Sequence, residues 1–127
     1  MNTNILKIII NKPVNEVFEY STNPQNTPAW VYSIQQEETN ESPVRQGTIY
    51  KNSNAQGEWS EYVVSEFKEN ELFTLSQVGG SYHVRYTYTP ITDNQTQLEY
   101  FEWVDTGELE GAFTIAPLEK LKEIIER

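Results

Sequence analysis

The stretch PLEKLKEIIER, residues 117–127, has the clearest amphipathic helix pattern in a chain that is otherwise patterned mostly as strands. Spacings of three, four and seven put its apolar side chains on one stripe of a helix, and the charged side chains on the opposite face. The stripe consists of Leu118, Leu121, Ile124 and Ile125. Pro117 suits the first helical position, where a missing N–H costs nothing. Because so short a helix is marginal alone in water, we predict that it packs this stripe on a sheet.

The amino-terminal part predicts one strand followed by helical structure. Residues 5–10 (ILKIII) are β-rich and predict a strand whose inward side chains are Leu6, Ile8 and Ile10. Pro13 then opens a helix, with Asn11 as its N-cap. Residues 24–30 contain two prolines and predict a short second helix or a turn-rich connection.

The middle of the chain predicts an antiparallel meander. Apolar residues alternate over segments separated by short turns, and such segments lie at about 30–39, 48–52, 58–67, 72–78, 82–89 and 96–104. Gly79-Gly80 predicts a primed two-residue hairpin turn, in which both residues have positive φ. Pro90 is expected to end the strand at 82–89.

Composition excludes several classes of function. A length of 127 residues predicts one domain, residues 1–127. The absence of cysteine and the presence of one histidine argue against disulfides, thiolate chemistry, a metal site and any other cofactor. A net charge of −10 makes nucleic acid and anionic membranes poor partners. Without a signal peptide or a long apolar run, we expect a cytoplasmic protein with no stable membrane insertion.

The strand at 82–89 predicts an aromatic inner face. Its more apolar side carries Tyr82, Val84, Tyr86 and Tyr88. Such rings either fill a core or line a small-molecule pocket to which they offer hydroxyl groups, and both interpretations stay open.

Two titratable residues are candidates for chemistry. His83 falls on the outer face, where a solvated strand residue is the favoured interpretation. Glu102 shares a face with Leu98 and Tyr100, so an inward orientation would make it a weak candidate for a catalytic acid or base, or for a ligand anchor. The favoured alternative places it at the end of the sheet, hydrated or paired with Lys or Arg.

Aromatic residues also predict an outer apolar patch. Phe101 and Trp103 lie opposite to Glu102 in parity, and strand 58–67 carries Trp59, Val63 and Phe67 at matching positions. These rings would form an interface for a partner or a second copy, unless a β-bulge exchanges the faces and turns them inward.

The order of elements, with the phrases NKPVNEVFEY at 11–20, Pro28-Ala29-Trp30 and Gly47-Thr48 before a strand, resembles the helix-grip superfamily. That group includes START-type lipid-transfer domains, the birch-pollen-allergen fold and polyketide cyclase/dehydrase-like proteins. The resemblance implies an α+β fold: a curved antiparallel sheet of six or seven strands wrapped around the C-terminal helix, with short helices after the first strand and an apolar cavity. The last helix is short for this group, so residues 108–116 decide whether the cavity is closed, open or absent.

Three functions follow as hypotheses. The first is binding or transport of a small apolar or aromatic molecule between the sheet and the C-terminal helix, with the lining Trp30, Tyr50, Tyr62, Tyr86, Tyr88 and Tyr100. The second is cyclase/dehydrase-type proton transfer by Glu102 with Tyr86 or Tyr100, for which no inward histidine is available. The third is a non-enzymatic interaction module, resembling chaperone ATPase activators of this fold, that forms a homodimer through Trp59, Phe101 and Trp103.

Overall fold

Seven strands and three helices make up the protein in the computed structural model, which describes residues 1–127. In chain order they are β1 (Thr3–Ile10), α1 (Val14–Thr22), α2 (Thr27–Trp30), β2 (Gln36–Thr39), β3 (Ile49–Ser53), β4 (Trp59–Lys68), β5 (Leu72–Gln77), β6 (Tyr82–Thr92), β7 (Gln95–Val104) and α3 (Ile115–Ile125). The two short helices follow the first strand, as predicted. None of the three helices is long and apolar enough to cross a membrane.

The strands form one antiparallel sheet in the order β1-β7-β6-β5-β4-β3-β2. Strands β2 to β7 are a meander, because each pairs with the next along the chain. Strand β1 joins the other edge by pairing with β7, which sets Ile8 opposite Leu98. Helix α3 packs against β1, α1 and α2. The predicted α+β helix-grip arrangement is confirmed, with seven strands in a curved sheet.

The hydrophobic core lies between the inner face of the sheet and the helices. The predicted inward faces of β1 and β6 are confirmed, since Ile10, Val84, Tyr86 and Tyr88 are buried, whereas Ile5 and Ile9 are exposed. The predicted stripe of α3 also faces the core: Leu118 and Leu121 are fully buried, and Ile124 and Ile125 pack against the cluster. Each fully buried Leu contributes about 1.5–3 kcal/mol to the stability of this arrangement.

Both main helices begin differently from the prediction. Helix α3 starts at Ile115, with Thr114 at the N-cap, so Pro117 is its third residue and not its first. Proline is tolerated there because the first four N–H groups of a helix have no partner within it. In α1 the N-cap is Pro13 and not Asn11, and no side chain caps the helix.

Strand β6 continues past Pro90 to Thr92, contrary to the expected stop. Tyr88 donates its N–H to the Glu71 carbonyl on the β5 side. By alternation, the nitrogen of Pro90 points to the same side, beyond the end of β5. No strand lies on that side to accept a hydrogen bond, so the lack of an N–H in Pro90 costs nothing. Pro90 can therefore pair with Thr96 of β7 on its other side.

The hairpin between β5 and β6 also departs from the prediction. Gly79 has φ of 78°, but Gly80 is not among the residues with positive φ. Residues 78–81 separate the two strands, so the connection is longer than a primed two-residue turn.

A β-bulge in β4 places Trp59 and Phe67, which alternation predicted to share a face, on opposite faces of the sheet. The β4–β5 register shifts between Val64 and Glu66. Before the bulge, Trp59 is on the outer face, as predicted, and half of its surface is exposed. After it, Phe67 turns inward and packs edge-to-face on Phe18 and Phe73, at centroid distances of 5.6 and 6.4 Å. Of the three positions that matched in parity, Phe67 is thus the one whose face the inserted residue exchanges.

Candidate functional site

A partly open pocket of about 380 Å³ lies over the inner face of the sheet. Residues of β2 to β7 line it, together with the turn between β3 and β4, one residue each from α1 and α2, the chain just after α2, and Glu110, Gly111 and Phe113. Aromatic rings form much of its wall; they belong to Tyr50, Tyr62, Phe73, Tyr82, Tyr86, Tyr100 and Phe113. Such a lining suits a small molecule that is mostly apolar and carries a few polar groups.

The wall opposite the sheet is not the one expected. No residue of α3 lines the pocket. The inward leucines of α3, Leu118 and Leu121, are fully buried in the core instead. Residues 110–113 lie at the pocket in their place, and residues 108–114 form neither a helical turn nor a strand. An irregular segment, with Ser21 of α1 and Thr27 of α2, therefore lines the pocket where the resemblance implied the C-terminal helix.

Phe113 fixes that segment to the sheet. Its ring stacks on Tyr100 with centroids 4.3 Å apart and an interplanar angle of 14°. Its backbone N–H donates to Glu102 Oε2 at 2.7 Å, and its carbonyl accepts from Asn4 Nδ2 at 2.9 Å. The wall of the pocket is thereby tied to β1 and β7 at the same point.

Glu102 is buried at the pocket, contrary to the favoured expectation of a hydrated or ion-paired side chain. It is 3% exposed, and its carboxylate makes no salt bridge. Neutral donors satisfy it: Tyr82 Oη at 2.7 Å on Oε1, and Asn4 Nδ2 at 2.8 Å on Oε2 beside the Phe113 N–H. Its inward orientation follows the parity shared with Leu98 and Tyr100, both of which are buried. A catalytic role for Glu102 stays a prediction.

Glu37 is a second carboxylate of the pocket, and no pattern in the sequence marks it as a site residue. It lies on β2 opposite Asn52 of β3. Thr27 Oγ1 donates to one of its oxygens at 2.6 Å, and Asn52 Nδ2 donates to the other at 3.1 Å. Burial raises the pKa of Glu37, and these two hydrogen bonds partly oppose the rise. The strand QEET has no apolar residue to mark an inner face, so only its pairing with β3 could have revealed this position.

The structure brings together some of the predicted lining residues. Tyr50, Tyr62, Tyr86 and Tyr100 line the pocket, whereas Trp30 and Tyr88 do not. Trp30 is fully buried between Tyr86 and Phe113, at centroid distances of 6.2 and 6.4 Å, and its Nε1 has no hydrogen-bond partner. Tyr88 is buried beside α1, where its hydroxyl lies 2.7 Å from Ser21 Oγ. Ligand binding by any of the six residues stays a prediction.

The outer face of the sheet carries a separate aromatic cluster. Trp103 stacks on His83 at 4.8 Å and on Phe101 at 5.1 Å, and Arg85 lies 5.0 Å above its ring. His83 is not freely solvated, since Ser76 and Asp105 bond to its two ring nitrogens, each at 2.8 Å. The register aligns Trp103 with Val63 of β4.

Trp59 is not part of this cluster. It lies three strands from Trp103 and four residues along β4 from the aligned Val63, which is a separation of about 20 Å from standard strand spacings. The three rings of the predicted dimer surface therefore form two sites on the outer face. A homodimer through them stays a proposal.

Metal ligands are not gathered anywhere in the protein, because no group of three or more His, Cys, Asp or Glu side chains is arranged to hold an ion. The pocket is distinctive instead for its charge. Four glutamates line it, and no Lys, Arg or His does; the glutamates are Glu37, Glu58, Glu102 and Glu110.

Solved structures with the same fold come from several bacteria. The protein XoxI from Bacillus cereus is 13% identical, with a TM-score of 0.77 over 99% of this chain and 96% of that one. The protein MLL2253 from Mesorhizobium loti is 17% identical, with a TM-score of 0.76 over 98% and 96%. CalU16 from Micromonospora echinospora is 18% identical, with a TM-score of 0.69 over 97% and 75%. At these identities the likeness is one of fold.

Comparison with curated proteins found none that matches in sequence. A family model does match, and it covers residues 6–125, from the first strand to the end of α3. Together with the seven-stranded sheet, the packing of α3 and the pocket, this match shows that the chain belongs to the polyketide cyclase / dehydrase and lipid transport family.

Proposed function

We propose that this protein binds a small, mostly apolar or aromatic molecule in the pocket between the sheet and residues 110–113. The observation that carries the proposal is a pocket of about 380 Å³ walled by aromatic rings. Ligand pockets commonly measure about 300–1,000 Å³, so this one is at the small end of the range. Its size favours a ring compound or a single short chain over a diacyl lipid.

The pocket is preorganised, which supports binding as its use. Tyr50 donates its hydroxyl to the Thr22 carbonyl at 2.5 Å, and Tyr82 donates to Glu102 at 2.7 Å. Phe73 packs edge-to-face on Tyr50 and on Tyr86, at 5.5 and 5.7 Å. Because the protein already holds these rings, a ligand loses little affinity to ordering them.

A pair of neighbouring substitutions tests where the ligand binds. Ser60 lines the pocket, and the next residue, Glu61, faces outward and pairs with Lys51 at 3.4 Å. Native mass spectrometry against a library of aromatic metabolites and short lipids would identify ligands of the wild type. Ser60→Trp should then abolish binding by filling the pocket, and Glu61→Trp should preserve it. Equal binding by both variants would show that the ligand lies elsewhere.

Glu102 favours a second candidate function, a cyclase/dehydrase-type enzyme. Its carboxylate is buried at the pocket, with Tyr82 at 2.7 Å and the Tyr100 hydroxyl 3.3 Å beyond that of Tyr82. Such a group could move a proton on a bound substrate. Tyr86, the other partner considered for Glu102, makes no hydrogen bond to it.

Turnover measurements distinguish the enzyme from the binding protein. Aryl β-hydroxyketones would be incubated with the protein, and loss of water would be followed by NMR. For an enzyme, Glu102→Gln should abolish turnover while leaving substrate affinity within a few-fold of the wild type. Wild-type protein that binds these compounds without dehydrating or cyclising them would exclude this candidate for that substrate class.

A further inference from the structure

The negative charge of the pocket disfavours ligands that are themselves negatively charged. Its lining contains four glutamates and no basic side chain. Glu58 and Glu110 are exposed, whereas Glu37 is half-buried and Glu102 is buried. The protein as a whole carries a net charge of −10. A ligand with a carboxylate or a phosphate would therefore meet like charge at the entrance and again inside.

Glu37 retains unused capacity to accept hydrogen bonds, and Glu102 retains less. A carboxylate offers about four acceptor positions. Thr27 and Asn52 occupy two of those on Glu37. Three donors occupy those on Glu102: Tyr82, Asn4 and the Phe113 N–H. Since neither carboxylate has a cationic partner in the protein, Glu37 is the better-placed acceptor for a donor on the ligand.

Tyr86 independently offers the pocket a hydroxyl group that no protein atom engages. It is 8% exposed and lines the pocket. Its hydroxyl bonds to no protein atom, and yet it is not among the completely enclosed unpaired atoms, of which Trp30 Nε1 is the single case. The hydroxyl is therefore open to the pocket and available to a ligand.

Glu37 and Tyr86 line the same pocket. Burial is the main reason why the pKa of Tyr86 is raised well above its usual value, and its acidic neighbours Tyr88 and Glu37 add to the rise. Tyr86 consequently remains a neutral phenol that can accept a hydrogen bond. The surrounding ring faces are also suitable contacts for a cation.

We propose that the ligand of this pocket is a cation, namely an amine with an aromatic or other apolar body whose ammonium group bonds to Glu37. The Tyr86 hydroxyl is a second hydrogen-bonding group for the same ligand. The proposal rests on the proposed function, because it specifies the chemistry of the molecule that the pocket binds. It implies that neutral analogues bind more weakly than the amine and that acids bind most weakly.

Three compounds of one shape test the proposal. They are 1-naphthylmethylamine, 1-naphthylmethanol and 1-naphthoic acid, which are a cation, a neutral molecule and an anion at pH 7. Calorimetry or ligand-observed NMR would give the three affinities. A charge-assisted hydrogen bond is expected to give the amine about 10-fold to 100-fold tighter binding than the alcohol, with the acid weakest.

Two neighbouring glutamates supply the matched variants. Glu37→Gln should reduce the affinity for the amine to that for the alcohol and leave the affinity for the alcohol unchanged. Glu38→Gln makes the same change in net charge on the outer face of β2, opposite Lys51, and should leave all three affinities unchanged. Tyr86→Phe, which keeps the ring, should weaken amine binding by a few-fold. Thermal melting would verify that each variant is folded.

The outcomes separate this proposal from the proposed function. If the alcohol or the acid binds as tightly as the amine, or if Glu37→Gln leaves the preference for the amine intact, the cationic ligand is overturned while the binding function stands. If none of the three compounds binds and the metabolite library also yields no ligand sensitive to Ser60→Trp, both proposals are overturned.

Discussion

The backbone N–H of Phe113 donates a 2.7 Å hydrogen bond to the carboxylate of Glu102, and this bond joins the irregular segment before α3 to the last strand of the sheet. Asn4 bonds to both partners, through the Glu102 carboxylate at 2.8 Å and the Phe113 carbonyl at 2.9 Å. One buried carboxylate thus holds β1, β7 and one wall of the pocket together. Glu102 consequently has a structural role whether or not it also takes part in chemistry.

Glu102→Ala should lower the free energy of unfolding by about 3 kcal/mol or more, since it leaves several part-buried donors without an acceptor. Glu102→Gln should cost about 1 kcal/mol, because its amide oxygen can accept from Asn4 and Phe113 while its NH₂ group donates to Tyr82. Urea denaturation measures both. Glu99→Ala is the control on the same strand; it breaks an outer-face pair with Lys7 at 3.7 Å and should cost less than about 1 kcal/mol. Equal losses for Glu102→Ala and Glu99→Ala would contradict the bridging role.

Removing one hydroxyl from Tyr86 or from Tyr88 should have opposite consequences. Tyr88→Phe deletes a buried hydrogen bond of 2.7 Å to Ser21, so it should cost about 1 kcal/mol of stability. It should affect ligand binding less than Tyr86→Phe does, because Ser21, which lines the pocket, keeps its hydrogen bond to the Val17 carbonyl. The Tyr86 hydroxyl has no partner in the protein, so Tyr86→Phe should not reduce stability but should weaken binding. Chemical denaturation and calorimetry on both variants check the pair. A stability loss in Tyr86→Phe as large as that in Tyr88→Phe would show that its hydroxyl is already bonded.

Glu37→Gln should stabilise the protein at neutral pH. Burial raises the pKa of Glu37 in the folded state above its ordinary value of 4.5, so the folded protein binds this proton more tightly than the unfolded chain does. The contribution of Glu37 to stability therefore falls as the pH rises through the window between the two values. The glutamine variant should melt at a higher temperature than the wild type at pH 7, and the difference should vanish toward about pH 4.

Glu38→Gln is the control for that measurement, because it removes an exposed charge on the same strand. It should show no such pH-dependent gain. A Glu37→Gln variant that is less stable than the wild type at pH 7 would mean that the hydrogen bonds from Thr27 and Asn52 outweigh burial. If Glu37→Gln gains stability and loses amine binding, the Glu37 carboxylate destabilises the fold but serves the function of the site.

The spacing of apolar residues in the sequence correctly predicts the helices and strands of this fold. Leu118 and Leu121 are fully buried, as their helical spacing requires, and the tyrosine face of β6 points inward, as alternation requires. Boundaries were less predictable. Pro90 was expected to end a strand and Pro117 to begin a helix, but both lie inside their elements. Neither position requires a backbone N–H for a hydrogen bond within the element, so proline is tolerated at both.

The candidate site was less predictable, because it depends on which distant segments meet. Glu37 lies on a strand with no apolar residue, so its inward orientation follows from pairing with β3 and not from its own pattern. The wall formed by residues 110–113 depends on hydrogen bonds from Phe113 and Asn4, which are 109 residues apart in the chain. Trp30 and Tyr88 share the aromatic character of the lining residues, and their exclusion from the lining depends on the packing of α1 and residues 110–113.

Self-association, if it uses the outer face, should depend on Trp103 and not on Trp59. Trp103 lies in the cluster with Phe101 and His83, and about 20 Å of sheet separates it from Trp59. We propose that Trp103→Glu reduces the molar mass in solution to the 14.8 kDa of one chain, while Trp59→Glu leaves a dimer intact. Light scattering after size-exclusion chromatography measures the mass. A wild-type mass of 14.8 kDa would end the dimer hypothesis.

The bulge in β4 predicts a contrast between Val63 and Phe67, which would share a face if the strand were regular. Phe67→Ala should cost about 3 kcal/mol of stability, because its ring packs on Phe18 and Phe73 in the core. Val63→Ala, on the outer face, should cost about 1 kcal/mol or less. Urea denaturation of the two variants decides between the bulged and the regular strand. Equal and small costs would mean that the bulge is absent and that Phe67 faces outward with Val63.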